Sequence, residues 1–477
     1  MSSSVTEEII ARQSSEAQGI IRALLAEIAA LRAELDDVRR QVQGKTPQNS
    51  SLPPSSQHPH AKSAAKTTKS SAKKPKQKRG GQPGHTKHER PLLATKDCDA
   101  VASLKPTACR RCGRKLRGRD GAPLRHQVWE LPPIKPHVTE YQRHRLVCSG
   151  CGESTCAALP AGVPTSTAGP RLVALAGLLM GCFRQSKRRT ALFLEQILGQ
   201  PCSPGWVVKL QNQACAAARP SYDELVAALP AEPVLAMDET PTKERHGKAW
   251  LWTAVAPRFT TFAVRPSRAA TAVSEWLGDD FPGVVGCDRA RMYLSLPRLQ
   301  WCWAHLKRDF RALVDSGDTR AQRLGWDLGA ATKRLFEHWG AFRAGTISRC
   351  ALVRRMGPVR KRIAQLLTRG AASGRKLDAG MCRELAAHQD RLWAFLKHDG
   401  VQPTNNASER ALRHAVIWRK LSFGTQSAAG SRFVETMLTL VETCRQQQRN
   451  AFDYLIQAVE AQRARRKPPS LLPLPGP

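Results

Sequence analysis

The chain has 477 residues, with 75 Lys or Arg against 39 Asp or Glu and a net charge of +36. That length exceeds one ordinary core and predicts two to four domains, while the charge and a pI near 10.4 point to a polyanionic partner. Nucleic acid is favoured over membrane, because no run of about eighteen apolar residues exists; the most apolar stretch, residues 172–182, runs into Arg184, Lys187, Arg188 and Arg189.

The first residues lack a basic segment followed by an apolar one, so secretion is not expected. Fourteen cysteines without framework spacing fit a reducing cytoplasm, with some of them on metal.

Residues 18–43 place Ile21, Leu24, Ile28, Leu31, Leu35, Val38 and Val42 at alternating steps of three and four. Such a seam predicts a short self-associating coiled coil in preference to a helix packed on its own protein. Residues 44–95 form a basic linker that cannot bury apolar area and is expected to be disordered in isolation. Eleven Lys or Arg and one acid, Glu89, lie between positions 45 and 90. Within it, Arg79-Gly80-Gly81-Gln82-Pro83-Gly84-His85 offers backbone that approaches a phosphate closely, and Arg79 is a candidate DNA contact.

In the next segment, residues 96–160, Cys109-Arg110-Arg111-Cys112-Gly113 and Cys148-Ser149-Gly150-Cys151-Gly152 are two knuckles with 35 residues between them. Each supplies two thiolates from one tight turn, so together they predict a zinc ribbon with a structural Zn²⁺ on Cys109, Cys112, Cys148 and Cys151. A redox dithiol is the weaker reading, since no thioredoxin-like pattern surrounds either pair. The apolar positions from Val128 to Val147 are expected to form short strands of the ribbon. Residues 165–230 predict three helices, the third capped by Ser203 with Pro204 at its first position. They are either a helix-turn-helix presenting Lys209 near an exposed start or a purely structural subdomain.

After Pro233 the pattern turns to strands: residues 234–237, 249–256 and 260–264, a helix at 270–277, a strand at 284–287 and a last strand candidate at 298–304. Asp238 and Asp288 each end an apolar run. Residues 317–400 carry apolar side chains at helical spacing and read as an insertion before residues 401–460. There Asn405-Asn406-Ala407-Ser408-Glu409-Arg410 begins a helix with an Asn as its cap and Glu409 one turn in. Arg410 and Arg413 on that helix are placed for a phosphate or a structural carboxylate; an ordinary ion pair is the bland alternative for Glu409. Two strand-end aspartates and a helix-borne glutamate are a way to cluster hard oxygen ligands for divalent metal against phosphate. The Cys302-Trp303-Ala304-His305 pair lacks a second ligand pair, and a core or DNA-positioning role is favoured for it over zinc. Residues 461–477 end in a basic, proline-rich tail expected to be disordered.

The order of these motifs resembles the large transposases of insertion sequence 66 type elements, over about residues 20–457. It includes Cys302-Trp303-Ala304-His305-Leu306-Lys307-Arg308 and, past Glu409, Trp418-Arg419-Lys420 and Phe423-Gly424-Thr425-Gln426-Ser427. The resemblance implies a multidomain α/β protein with an RNase H-like core, here in residues 231–316 and 401–460. It implies an Asp238, Asp288, Glu409 catalytic triad holding Mg²⁺ or Mn²⁺. Arg419 and Lys420 join Arg79, Lys209, Arg410 and Arg413 as expected DNA contacts. The expected partners are the terminal inverted repeats of an element, target DNA and further copies of the chain, in a bacterial cytoplasm at the nucleoid. One departure stands out: an aromatic expected soon after the second aspartate is displaced to Tyr293. A non-enzymatic zinc-ribbon regulator and an RNase H-like nuclease or resolvase are the competing readings, and a tyrosine recombinase working through Tyr293 is the weakest.

Overall fold

A computed structural model of the chain describes residues 12–43, 90–161, 163–373 and 376–472, with Ile10, Asn49 and Ser50. Arg79 and most of the basic linker lie outside the described residues, as do the side chains of Leu35, Val38 and Val42. The chain divides into two compact units, His60–Pro136 and Met1–Pro59 with His137–Pro477.

The smaller unit is held by polar contacts. Gln127 receives the Leu93 amide at 2.9 Å and donates to the Leu93 carbonyl at 3.0 Å, and Arg90 lies over the Trp129 ring. Its knuckle closes with Gly113 N donating to the Cys109 carbonyl at 2.9 Å, and Gly113 sits at φ 71°. That is a left-handed conformation which a side chain would strain.

In the larger unit, α1 (Ser15–Gln43) is one continuous helix. Its apolar positions Leu24, Ile28 and Leu31 are exposed, at 52%, 43% and 59%, so among the described residues that face is left uncovered. The hairpin β1 (Arg145–Val147) and β2 (Ser154–Cys156) flanks the second knuckle. No strand forms over residues 128–144, which corrects the expected ribbon strands there; Val128, Leu131 and Val138 are exposed. Pro132, Pro133 and Pro136 lack the amide donors a ladder needs. Three helices follow, α2 (Pro170–Gly181), α3 (Lys187–Leu198) and α4 (Pro204–Ala228). Gly199 ends α3 in a left-handed turn, and Ser203 caps α4 by accepting the Trp206 amide, as the sequence indicates. Trp206 packs against the core while Lys209 stays exposed.

The central sheet has the order β5-β4-β3-β6-β7, formed by β3 (Val234–Glu244), β4 (Gly247–Val255), β5 (Thr260–Arg265), β6 (Val284–Cys287) and β7 (Leu299–Trp301). β3, β4 and β5 are antiparallel neighbours, and β6 and β7 join parallel to β3. The helix α5 (Ala270–Leu277) makes the crossover from β5 to β6. β3 is longer than its apolar run predicts: it continues past Asp238 to Glu244 because β4 pairs with it all the way to Gly247. After β7 come α6 (Trp303–Val314), α7 (Thr319–Arg343), α8 (Arg349–Ala371), α9 (Lys376–Ala387), α10 (Asn406–Ser422), α11 (Ala428–Gln446) and α12 (Ala451–Arg463). The insertion is thus helical, as its spacing predicts.

The edge strand β5 is covered by α11. Thr443, Thr439 and Glu435 accept the outward amides of Thr260, Phe262 and Val264 at 3.1, 2.9 and 2.7 Å. Four residues of helix advance about 6 Å and two residues of strand about 6.6 Å, so one helix face matches alternate strand amides. An otherwise unpaired edge is thereby satisfied. Thr439→Val should leave the buried Phe262 amide without an acceptor, at about 1–3 kcal/mol. Thermal melting of Thr439→Val against Thr439→Ser checks this, with the valine variant melting lower by several degrees.

Candidate active site

β3 and β6 run parallel, with Ala236 opposite Gly286, and that pairing stops there. Asp238, inside β3, and Asp288, one residue past the end of β6, each follow two residues later, at equivalent positions along the two chains. Each carboxyl receives one backbone amide: Asp238 Oδ1 that of Glu239 at 2.9 Å, Asp288 Oδ1 that of Ala290 at 2.8 Å.

Glu409 reaches this place because α10 is fastened along β3 at three points. Asn405 donates its side-chain Nδ2 to the Met237 carbonyl at 2.7 Å. Its expected capping bond is absent; the amide is spent on β3, next to Asp238. Near the other end, Arg419 Nη1 donates to Thr240 Oγ1 at 3.1 Å and also to the Pro241 carbonyl. Beyond the helix, Thr425 N donates to the Lys243 carbonyl at 2.9 Å, and Arg245 N donates to the Thr425 carbonyl at 2.7 Å. Gly424 is required there: its φ is 107°, and a Cβ would collide with the Lys243 carbonyl. The Phe423-Gly424-Thr425 motif is therefore a clamp that aligns α10 with β3.

The three carboxyls share one field. Burial, then the charges of Glu239 and Asp288, and lastly Glu409, push the Asp238 carboxyl well above the usual range, against the Glu239 amide. Glu239 is acidic and almost fully buried, yet its charge is already met. Its Oε1 takes Arg268 Nε at 2.7 Å and its Oε2 takes the Tyr293 hydroxyl at 2.5 Å. Tyr293 is therefore buried and engaged, and burial followed by Glu239 holds its hydroxyl far above the ordinary tyrosine range. Glu409 faces the Arg308 guanidinium at 3.5 Å and the His305 ring at 3.8 Å; burial, then Arg308, lowers the His305 pKa. Arg289 lies beside Asp288 in sequence and bridges Asp309 at 2.6 Å to Glu384 of α9 at 2.7 Å, tying the insertion to the core.

Cys302 and His305, which the sequence favours for a core or DNA-positioning role, stand with Arg308 each one helical turn after the last beside Glu409; Arg308 is the member that an acid-centred reading misses. Their three-residue spacing at the start of α6 is the local signal for them.

The donor set fits a hard divalent ion. The Asp238 carboxyl feels Asp288 and Glu409 while no ion pair to a cation forms at Asp238 among the described residues, and each aspartate keeps one oxygen off the backbone. A carboxyl whose folded pKa is raised stabilises the fold below its unfolded pKa and loses that contribution as pH rises through the folded value. In EDTA at neutral pH, Asp238→Asn should therefore melt above the wild type, and the gap should close as pH falls from the raised folded value to the ordinary carboxylate value. Calorimetry over that range checks it.

Of the other expected contacts, Lys209, Arg410, Arg413 and Lys420 are exposed, while Arg419 is partly buried in its bonds to β3. Burial lowers its pKa. The knuckle cysteines occupy matching turns, each described within its own unit. Gly152 N donates to the Cys148 carbonyl at 2.9 Å with Gly152 at φ 74°, repeating the Cys109–Gly113 turn. Backbone amides lower the thiol pKa in both: those of Cys112 and Arg111 for Cys109, those of Cys151 and Gly150 for Cys148. A thiol so placed is prepared as a metal-binding thiolate.

Residues 166–432 match the family described as Transposase IS66 family, and residues 106–152 match the zinc-finger binding domain of transposase IS66. The first of these spans more than half of the chain, and the chain belongs to that family. Both knuckles lie inside the zinc-finger match, which supports structural zinc. Residues 6–91 match a family of unknown function. An uncharacterised protein of Sinorhizobium fredii, y4qI, is 26% identical over 244 residues, covering 46% of this chain and 44% of that protein. The match therefore spans less than half the length of that relative. Among the described residues no helix is long and apolar enough to cross a membrane.

Proposed function

We propose that the chain is the transposase of an insertion sequence, cutting DNA at the element ends and joining the freed 3′-hydroxyls to target DNA. The observation that carries this reading is that Asp238 on β3 shares one electrostatic field with Asp288, just past β6, and with Glu409 on the clamped α10. The sheet order, three antiparallel strands continued by two parallel ones, supports an RNase H-like core. Divalent ions held there supply charge neutralisation at both the attacking and the leaving oxygen of an in-line displacement.

The side chains divide the remaining work. Asp238, Asp288 and Glu409 are the ligands for Mg²⁺ or Mn²⁺. Arg308 and His305 orient Glu409. In the first step water adds to the phosphorus and the element's 3′ oxygen leaves as a hydroxyl. In the second, that hydroxyl attacks a target phosphodiester and a target 3′-hydroxyl leaves. No covalent bond to the protein is needed, and the engaged Tyr293 is not required as a nucleophile. Arg410, Arg413 and Lys420 on α10, with Lys209 on α4, are the phosphate contacts this reading assigns, together with Arg79 and Arg419. Cys109, Cys112, Cys148 and Cys151 are proposed as one Zn²⁺ ligand set.

Two ends must be cut in concert, and α1 supplies a reason for pairing: its exposed seam is proposed to form a coiled coil with a second copy. Leu24→Lys with Leu31→Lys places charges in that seam at several kcal/mol, more than about three heptads tolerate. The double variant should sediment at a lower mass than the wild type and bind single ends without pairing them. Equal mass for both would leave the stripe without this role.

The function is tested on DNA carrying the inverted repeats that flank the gene. Mg²⁺-dependent 3′-end cleavage followed by joining to a second DNA is expected. Binding without cleavage would favour a regulator, and cleavage directed by branched structure without joining would favour a resolvase.

A further inference from the structure

Next to the aspartates lies a second group of ligand atoms with different chemistry. A sulfur of Cys302, a ring nitrogen of His305 and a carboxylate oxygen of Glu409 all lie within 4.8 Å of one another. Cys302 is buried and stands at the N-terminal cap of α6, with His305 one turn on. His305 Nδ1 is buried without a hydrogen-bond partner and lies 3.8 Å from Glu409 Oε1. Two ligands of one tetrahedral zinc, at about 2.0–2.1 Å from the metal, stand roughly 3.3–3.4 Å apart, so little movement is needed. The Cys302 sulfur receives the Asn405 amide at 3.2 Å, and the amides of Ala304 and His305 are directed at it as well. Burial holds the Cys302 thiol above its usual range against these amides, so the thiolate forms as the metal binds and displaces the proton.

We propose that Cys302, His305 and Glu409 form an ion site of their own, for a soft divalent transition-metal ion such as Zn²⁺, whose occupancy draws Glu409 away from the aspartates and arrests cleavage. A thiolate and an imidazole select against Mg²⁺, which takes oxygen ligands, and favour zinc or cobalt. Three protein ligands leave the fourth tetrahedral position for water. Binding forms one sulfur–metal, one nitrogen–metal and one oxygen–metal bond, releases the thiol proton to solvent and moves no electron. Glu409 then has two competing positions, one toward Asp238 and Asp288 and one toward Cys302 and His305. The binding stands on the geometry alone; the arrest rests on the proposed catalytic part of Glu409.

The full-length chain is dialysed against buffered micromolar Zn²⁺, and metal is counted in the wild type, Cys302→Ala and Glu409→Gln. The wild type is expected to hold one more Zn²⁺ per chain than either variant. With the knuckles kept on zinc, Co²⁺ should give a thiolate charge-transfer band in the wild type and none in Cys302→Ala. Equal metal content in all three, or the same cobalt band in Cys302→Ala, would overturn the site. Glu409→Gln, at a half-exposed position, keeps the result readable should Cys302→Ala fold poorly. In a cleavage assay with Mg²⁺, micromolar Zn²⁺ should slow the wild type by about tenfold or more and leave Cys302→Ala much less affected, a difference of at least ~1.4 kcal/mol. Equal inhibition of both would put the inhibiting ion among the aspartates and overturn the arrest. A chain that cuts no DNA under any ion would remove the proposed function, while metal content and cobalt spectrum still decide the site.

Discussion

Asp238→Asn, Asp288→Asn and Glu409→Gln are each expected to abolish cleavage and joining while leaving binding to element ends intact. The substitutions keep shape and remove one charge from a centre whose stabilisation of the displacement is worth several kcal/mol. At about 1.4 kcal/mol per factor of ten, that loss slows the reaction by roughly a thousandfold or more. Binding should hold or tighten, since the lost charge repels phosphate. Single-turnover cleavage beside a mobility shift on the same DNA measures both. A variant that keeps near wild-type rates removes its residue from the ligand set. Glu239→Gln is the informative neighbour. Its carboxylate is already taken by Arg268 and Tyr293, so its substitution should cost stability before it costs the metal.

Cys109→Ser or Cys148→Ser should release one Zn²⁺ per chain and unfold the ribbon. The knuckle regions bury little: among the apolar side chains of residues 90–161, Leu104, Leu124 and Leu146 are all strongly exposed. A module with so small a core depends on its metal for folding free energy. The sheet and its helices have their own core around Trp252, Trp301 and Trp303 and should keep their melting transition. Metal analysis with a thermal melt separates the two effects. Freshly purified wild type without zinc would remove this site from the account.

Much of the fold is legible because short β-branched runs bounded by Pro, Gly or charge bury as strands and a helix-spaced segment stands between two of them. Residues 270–277 and 284–287 fell where the pattern places them. β3 was read too short, because Thr240–Glu244 is polar and its pairing comes from β4 rather than from its own composition. The residues from Val128 to His144 were read as strands on apolar content alone, and three prolines defeat the ladder there. Within the candidate site, the settings of the three acids single them out as the proposed ligands. Their partners were not legible: Arg268 and Tyr293 meet Glu239 from 29 and 54 residues away, and Arg308 meets Glu409 from 101. Such contacts are made by the chain's return to the sheet and leave no local periodicity. Asn405 shows the same limit, since the residue that reads as a cap is used to fasten α10 to β3.

The central claim is that Asp238, Asp288 and Glu409 form one divalent-ion centre, and Mn²⁺ binding followed by electron paramagnetic resonance tests it most directly. The wild type bound to element-end DNA is expected to take up Mn²⁺ that Asp238→Asn, Asp288→Asn and Glu409→Gln each fail to hold, although all three bind the same DNA. Equal Mn²⁺ uptake by the wild type and all three variants would contradict the account.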